Sequence, residues 1–143
     1  MKVKITRIDK SIPLPIYKTK GSVGFDLITR RDTLIKGGEL GFIPSNVIVE
    51  VPKGYALLIA SRSSTPKKKG LLMPHGIGIL DQDYCGPEDE LLAHFYNFSK
   101  KDVLIKKGER MAQGIFVKVA IGKWQETSKI KKQSRGGFGS TGK

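Results

Sequence analysis

The sequence predicts an all-β domain, a sandwich or barrel for which a jelly roll is the natural arrangement. Short apolar segments repeatedly end at Gly, Pro, Asn or Asp, which is typical of strands closed by turns. Apolar and polar residues alternate within several of these segments, and none keeps the 3.6-residue period of an amphipathic helix. At 143 residues, the chain has the length of one domain.

The predicted strands follow one another at short spacing. In the first, Val3, Ile5 and Ile8 alternate with polar residues. In the second, the valines of 47–51 alternate with Ile48 and Glu50. Both patterns predict half-buried strands. Further strands are predicted at 56–60, 91–98, 103–105 and 112–120, with turns at Pro52-Lys53-Gly54 and Lys107-Gly108.

The composition narrows the class of protein. A net charge of +13 is typical of proteins that bind nucleic acid, anionic membranes or phosphorylated small molecules, although a solvated surface accounts for it equally well. The apolar stretch 55–60 is far shorter than the roughly 20 residues of a membrane span, and residues 1–5 lack the apolar block of a secretion signal. One cysteine, Cys85, excludes an intrachain disulfide and a zinc site of paired cysteines. We therefore expect a soluble, cytoplasmic protein.

The C-terminal residues differ from the rest of the chain. Residues 1–125 are predicted to form the folded domain, whereas 126–143 are polar, lysine-rich and then glycine-rich, with almost nothing to bury. This composition predicts a flexible arm. Dense glycines also permit close backbone approach, so the same segment can fold over a phosphate when one is present.

Two clusters of residues suggest chemistry in the middle of the chain. Arg62 stands beside the hydroxyls of Ser63 and Ser64, a combination that can hold phosphate oxygens, although such a tripeptide is more often plain surface. The glycine-flanked segment 76–86, interpreted as a hairpin, offers backbone groups for a base edge, a carboxylate and an aromatic ring. Asp81 and Asp83 would share one face of a regular strand, but turn chemistry also explains the pair.

Two further clusters lie towards the C-terminus. Gln113 sits among apolar neighbours, where its amide needs either a structural hydrogen bond or an oriented water. Phe138 is bracketed by glycines, with Arg135 before it and Ser140 and Thr141 after it. A linker accounts for the glycines, whereas an aromatic lid over a base, with phosphate-binding groups around it, also accounts for the other residues.

In this order the segments resemble the five sequence motifs of the homotrimeric dUTPase family, whose members hydrolyse deoxyuridine triphosphate (dUTP). Individually the segments are weak signals, but together they match from about Leu14 to the C-terminus at compatible spacing. The matching segments are GSVGFDL at 21–27, RSS at 62–64, GILDQDY at 78–84, GERMAQ at 108–113 and GFGSTG at 137–142.

The resemblance implies a fold, an assembly and an activity. The fold is a distorted jelly roll, assembled as a homotrimer in which residues 126–143 of one subunit close over the active site of another. The activity is hydrolysis of dUTP to dUMP and pyrophosphate, which limits uracil incorporation into DNA and supplies dUMP for thymidylate synthesis. Mg²⁺ is the implied cofactor, held by the triphosphate rather than by protein ligands. The activity involves no membrane and requires no nucleic acid, although weak electrostatic binding of nucleic acid stays open.

The resemblance also implies roles for individual residues. Asp81 acts on the attacking water, and Gln113 places that water or a phosphate. Asp26, in the first motif, lies near the site in a structural role or beside a metal-bound water. The uracil and deoxyribose are bound by His75, Gly78, Ile79, Tyr84 and Phe138. The phosphates are bound by Arg62, Ser63, Ser64, Gln113, Arg135, Gly139, Ser140 and Thr141.

Three departures from the family pattern leave alternatives open. His75 stands where the family usually has Asn, Arg135 lies closer to Phe138 than usual, and Cys85 replaces a longer polar residue. The related dCTP deaminases, including bifunctional ones, share the fold and an Arg-Ser-Ser segment, but they lack the 81–84 segment and the fifth motif. A basic nucleic-acid-binding or regulatory protein of the same fold is the alternative from another class.

Overall fold

A computed structural model describes residues 1–130 and Gly136 of the chain. The described residues form eleven β-strands and one short helix, which confirms the predicted all-β fold. In chain order the elements are β1 Lys4–Arg7, β2 Phe25–Ile28, β3 Thr33–Ile35, β4 Leu40–Pro44, β5 Val47–Glu50, β6 Tyr55–Ser61, α1 Thr65–Lys69, β7 Leu71–Leu72, β8 Ile77–Leu80, β9 Leu92–Asn97, β10 Val103–Ile105 and β11 Arg110–Lys118.

The strands form four antiparallel sheets. The largest has the order β2-β11-β6-β8, and a second has the order β4-β9-β7. The two remaining sheets are the pairs β1-β5 and β10-β3. The long strand β11 is central, because it pairs with β2 on one side and with β6 on the other.

The core lies where the inner faces of these sheets meet. Its fully buried members include Phe95 from β9, Leu57 from β6 and Ile105 from β10. Alternation along each strand explains the arrangement, since every second side chain of a strand points to the same face. In β9 the burial follows this period: Ala93, Phe95 and Asn97 are buried, and the residues between them are more exposed.

The predicted strands are confirmed at β1, β5, β6, β9, β10 and β11, with ends that differ by a few residues. Gly54 and Gly108 have positive φ angles of 80° and 87°, as the two predicted turns require. The half-buried pattern predicted for β5 is wrong, because Val47, Ile48 and Val49 are all buried. The sequence did not predict the helix α1 or four of the strands, namely β2, β3, β4 and β7.

A partly buried ion pair joins the loops beside this core. Arg30 donates two hydrogen bonds to the carboxylate of Glu90, at 2.9 and 2.7 Å, and the backbone N–H of Asn46 donates a third at 2.7 Å. The Glu90 hydrogen bonds raise the pKa of the Arg30 guanidinium above its ordinary value. Asn46 has a positive φ of 70° and bonds to Asp9 through both ends of its amide. Three segments distant in sequence are thereby fixed.

The chain beyond β11 leaves the body of the domain. Ile121, Trp124 and Ile130 are 82%, 100% and 80% exposed. Apolar side chains so fully exposed pack on no surface formed by the described residues. Within residues 1–130, no helix has the length and apolar character to cross a bilayer.

Candidate functional site

A polar cleft lies between the loop before β2, the centre of β11 and the end of β6. Its volume is about 230 Å³. We call it the polar cleft and define it by its lining residues, which are Lys18, Ser22, Gly24, Asp26, Arg62, Ser63, Ser64 and Gln113. The structure therefore brings together five residues predicted from three separate motifs, namely Asp26, Arg62, Ser63, Ser64 and Gln113.

Arg62 is held in this cleft by Asp26. The Nε of Arg62 lies 3.0 Å from Asp26 Oδ1, and the other carboxylate oxygen accepts a hydrogen bond of 3.0 Å from Arg110. The side chain of Asp26 is only 12% exposed, whereas that of Arg62 is 33% exposed. One carboxylate thus orients two guanidinium groups. Arg62 also donates to the Arg110 carbonyl at 3.4 Å, and within residues 1–130 its other donors remain available for an anion.

Gln113 lies on β11 between two neighbouring strands, opposite Asp26 of β2 and Ala60 of β6. Its Nε2 donates to the Ser61 carbonyl at 3.3 Å, which leaves Oε1 directed towards Gly24. A β-carbon at Gly24 would lie 3.2 Å from this oxygen, so a larger residue there would press on the end of the Gln113 side chain. The amide is therefore anchored on one side and faces the cleft on the other.

The two serines lie where β6 leads into α1. Ser63 is exposed, and Ser64 occupies the position before the first helical residue. Within the described chain, the Ser64 side chain makes no capping hydrogen bond to the helix. Its hydroxyl is thereby free to donate to a ligand oxygen. Next to it, Thr65 is buried and its hydroxyl points to the Met111 carbonyl, which fixes the start of α1 against β11.

The segment predicted as a hairpin contains β8, whose partner is β6 rather than a strand of the same segment. That part of the prediction is wrong. Because β8 is the last strand of its sheet, the backbone groups on its outer edge have no partner strand among residues 1–130. Gly78 adds no side chain to this edge, and the ring of His75 lies over it, 3.6 Å from where a β-carbon would be. An exposed row of backbone donors and acceptors results.

Asp81 and Tyr84 follow β8 in an exposed turn. Asp81 borders two concavities, one of about 670 Å³ with Tyr55 and Val119 and one of about 300 Å³ with Tyr84. Since β8 ends at Leu80, Asp81 and Asp83 do not share a strand face as a regular strand would require. Gln82 anchors the turn by donating to the Tyr55 carbonyl at 3.1 Å.

The polar cleft and Asp81 lie at opposite ends of β6. Leu80 pairs with Leu57, which puts Asp81 beside residue 56, whereas Arg62 follows the last residue of the same strand. Six residues of extended chain separate these positions, which is about 20 Å at roughly 3.3 Å per residue. Within a single chain, therefore, the acid predicted to act on water and the phosphate-binding cluster do not meet.

Two groups beside these regions, Glu109 and His94, have pKa values shifted from their ordinary values. Burial acts to raise the pKa of Glu109, but the Lys106 backbone N–H and the Lys69 ammonium outweigh it, and the pKa is lowered. Near His75, the ring of His94 stacks on Phe42 with centroids 4.1 Å apart and lies 5.8 Å from the His75 ring. Burial and then the neighbouring His75 lower the pKa of His94, which favours its neutral form.

Several cleft residues were not predicted. Two of them, Lys18 and Ser22, line the cleft, and a third, Arg110, binds the Asp26 carboxylate. The only signal for them in the sequence is that they lie in or near the first and fourth motifs. Conversely, five predicted residues lie outside the described part of the chain: Arg135, Phe138, Gly139, Ser140 and Thr141.

Known proteins resemble this chain over nearly its whole length. A family model described as dUTPase matches residues 10–142. The deoxyuridine 5'-triphosphate nucleotidohydrolase of Dictyoglomus turgidum is 37% identical and that of Nautilia profundicola is 36% identical, each match covering 99% or more of both chains. The crystal structure of dUTPase from Streptococcus mutans has a TM-score of 0.77 at 28% identity and covers 84% of this chain and 98% of that one. The Staphylococcus bacteriophage 80alpha dUTPase, solved with dUPNHPP, has a TM-score of 0.86 at 22% identity, covering 99% and 98%; it supports the fold.

Proposed function

The chain belongs to the dUTPase family, and from this premise we propose that it hydrolyses dUTP to dUMP and pyrophosphate. The observation that carries the proposal is the polar cleft, in which Asp26 orients Arg62 beside two serine hydroxyls and the Gln113 amide. Such a set of fixed cationic and neutral donors suits a chain of phosphates, because charge-assisted hydrogen bonds to phosphate oxygens are strong and directional.

Uracil recognition is proposed for the outer edge of β8. Its unpaired backbone donors and acceptors can match the 4-oxo group and the N3–H of uracil, which distinguish uracil from cytosine. Gly78 lets the base approach the backbone closely, and Ile79 and His75 border it. Tyr84, 41% exposed, provides a ring to pack against the deoxyribose and to disfavour a 2′-hydroxyl.

Asp81 is proposed to act as the general base. An ionised carboxylate beside a water can accept its proton as the oxygen attacks the α-phosphorus, and it can also hold the 3′-hydroxyl of the sugar. The new bond joins this oxygen to the α-phosphorus, and the bond from the α-phosphorus to the bridging oxygen breaks, releasing pyrophosphate. Arg62, Ser63, Ser64 and Gln113 would stabilise the charge that develops on the phosphates.

The separation of about 20 Å along β6 supports a site built from more than one subunit, since roughly 3.3 Å per residue leaves Asp81 too far from Arg62 in one chain. We propose a homotrimer, in which the cleft of one subunit faces the β8 edge of its neighbour. The sheet β4-β9-β7 offers an apolar contact face, because Leu40, Phe42 and Leu92 are 57%, 57% and 45% exposed on it. Exposed apolar surface of this kind is typical of subunit interfaces.

The C-terminal arm is proposed to complete the site. Trp124 and its neighbours leave the domain without covering their own subunit, as a segment that reaches another subunit would do. Phe138 would cover the base, and Arg135, Gly139, Ser140 and Thr141 would bind the terminal phosphates, which excludes water from the reacting centre. Residues 1–125 would then form the catalytic domain and 126–143 the arm.

Mg²⁺ is proposed as the cofactor. Among residues 1–130 and Gly136, no group of three or more His, Cys, Asp or Glu side chains is arranged to hold a metal ion. This donor set suits a magnesium ion bound mainly by the triphosphate, because Mg²⁺ commonly keeps several waters and takes substrate phosphates as ligands. When bound, the ion would neutralise charge on the leaving pyrophosphate, and Asp26 is the carboxylate near enough to the cleft to accept from its waters.

The proposal is tested with Asp81→Asn, which keeps the size of the side chain and removes its basicity. Pyrophosphate release from dUTP with Mg²⁺ should fall by 10²-fold or more, about the contribution of a general base, while affinity for a non-hydrolysable dUTP analogue is kept. Asp83→Asn is the matched control and should leave turnover nearly unchanged. Unimpaired hydrolysis by Asp81→Asn would refute the proposal. The same assay with dCTP, dTTP and UTP tests selectivity, and deamination of dCTP would replace the proposed activity with that of a deaminase.

A further inference from the structure

We propose that one end of the molecule binds single-stranded nucleic acid, as a second function separate from dUTP hydrolysis. We call this region the basic end. It consists of one exposed aromatic ring and five exposed lysines, which are Phe98, Lys36, Lys67, Lys68, Lys100 and Lys101.

Three segments of the chain meet at the basic end. The N–H of Phe98 donates to the Gly70 carbonyl at 3.0 Å, which joins the turn after β9 to the end of α1. A β-carbon at Gly70 would lie 3.1 Å from that of Ser99, and one at Gly37 would lie 2.6 Å from the carbonyl carbon of Lys100. Backbone contacts therefore join residue 37 to residue 100 and residue 70 to residues 98 and 99, which brings the lysine-bearing segments 36–38, 67–70 and 98–101 to the same end of the molecule.

A buried amide fixes the turn that presents Phe98. The Nδ2 of Asn97, which is fully buried, donates to the carbonyls of Ile35 at 3.0 Å and Lys101 at 2.8 Å. Its Oδ1 accepts from the N–H and the hydroxyl of Ser99, at 3.0 and 2.7 Å. With every polar atom of this amide satisfied, the turn is rigid. Phe98 is nevertheless 50% exposed, so a hydrophobic ring is held in the solvent.

The lysines of the basic end are not neutralised by the protein itself. Within residues 1–130, the ion pairs of 4.0 Å or less use other cations, including Lys69 with Glu109. The acids next to these segments are Glu39 and Asp102, and one Asp102 oxygen accepts from the Gly37 N–H. Five positive charges thus face two negative ones, and a polyanion would gain from binding there.

The arrangement favours a nucleic acid strand over other anions. The lysines are carried by three segments that meet beside residue 98, which suits repeated phosphates and a stacked base. The nucleotide substrate has its own donors in the polar cleft, built from an arginine and hydroxyls. Of the five lysines, Lys68 also borders that region, because it lines a concavity with Arg62 and Ser64. A lipid surface is less suited, because α1 has the sequence TPKKK and offers no apolar face to insert.

The test measures binding of a fluorescein-labelled oligothymidylate by anisotropy, with the full-length assembled protein and increasing salt. Each phosphate contact on a single strand contributes about −0.7 to the slope of log K against log salt, so five lysines predict a slope of about −3.5. This slope corresponds to about a hundredfold loss of affinity between roughly 50 and 200 mM salt.

Three variants locate the site. Lys100→Ala combined with Lys101→Ala should make the slope shallower by about 1.4, because two contacts are lost. Phe98→Ala should weaken binding by about fivefold or more, the low end of the effect of stacking one base. Lys2→Ala combined with Lys53→Ala removes the same charge from exposed lysines elsewhere and should leave the slope unchanged. All variants should keep hydrolysing dUTP, which shows that they fold.

Three results would overturn the proposal. The first is absence of oligonucleotide binding at physiological salt, which would leave the lysines as solvated surface. The second is an equal loss of slope in the Lys2/Lys53 and Lys100/Lys101 variants, which would show diffuse charge rather than a site. The third is binding to phosphatidylserine vesicles without binding to the oligonucleotide, which would make the basic end a lipid-binding surface. None of these results bears on dUTP hydrolysis, so the two proposals fail independently.

Discussion

Mixing two inactive variants provides a direct test of a site shared between subunits. Asp81→Asn removes the proposed base, and Arg62→Ala removes the central cation of the polar cleft. Because β6 holds these two positions about 20 Å apart in one chain at roughly 3.3 Å per residue, the proposed site takes Asp81 from one chain and Arg62 from another. Neither variant alone contains an intact site, and both should be nearly inactive.

Mixed assemblies should regain activity to a calculable extent. At equal proportions, a site receives an intact Asp81 with a probability of one half and an intact Arg62 with a probability of one half. About one quarter of all sites are then complete, whatever the number of subunits in a closed ring, provided that the two groups come from different chains. If both groups came from the same chain, no mixed assembly would contain a complete site.

The assay compares pyrophosphate release by the mixture with that of each parent variant. The two chains carry different affinity tags, are refolded together, and are purified through both tags to confirm that mixed assemblies have formed. Recovery of about one third of the wild-type rate is expected for doubly tagged trimers, because every mixed trimer has one complete site out of three, whereas the unpurified mixture averages about one quarter. If doubly tagged assemblies stay at the level of the parents, the reasoning from the strand register is wrong.

Two predictions concern stability and are checked by urea unfolding. Glu90→Gln should destabilise the fold by about 3 kcal/mol, because it breaks the Arg30–Glu90 pair and leaves Arg30 without its carboxylate. The control is Glu50, which is exposed and paired with Lys4. Glu50→Gln should lower the free energy of unfolding by less than about 1 kcal/mol. If Glu90→Gln and Glu50→Gln lowered the free energy of unfolding equally, burial would not determine the strength of the two ion pairs. Gly114→Ala should cost about 1–3 kcal/mol through overpacking, since its β-carbon would overlap the Phe25 ring and lie 3.1 Å from Leu57 Cδ1. Gly21→Ala, with nothing within 4 Å, is its control, and an unchanged midpoint for Gly114→Ala would show that the ring moves freely.

The sequence predicted the parts of the fold that have a strong local pattern. Strands β6, β9 and β11 are long enough to show apolar runs or alternation, and Gly54 and Gly108 mark turns that need a positive φ. In contrast, β3 has only three residues and exists because it pairs with β10, which lies about 70 residues further along the chain. A five-residue helix such as α1 is too short to show a period.

For the candidate site, the sequence predicted which residues take part but not how they are arranged in space. The motifs identified Asp26, Arg62 and Gln113, and the fold places all three in one cleft. No local pattern could reveal that Asp81 belongs at the other end of β6, because strand register depends on long-range pairing. For the same reason, the partner of β8 was predicted wrongly from a segment that resembles a hairpin.

The outer edge of β8, which has no partner strand among residues 1–130, also creates a risk of aggregation. Ile77 and Ile79, 51% and 68% exposed, stand on a strand whose outer backbone groups invite any other strand to add to the sheet and start an aggregate. Two features oppose such growth. The strand has only four residues, and the carboxylates of Asp81 and Asp83 just beyond it repel like charges on another copy. Asp81, the acid proposed to activate water, therefore also lowers the tendency of the single chain to aggregate through this strand.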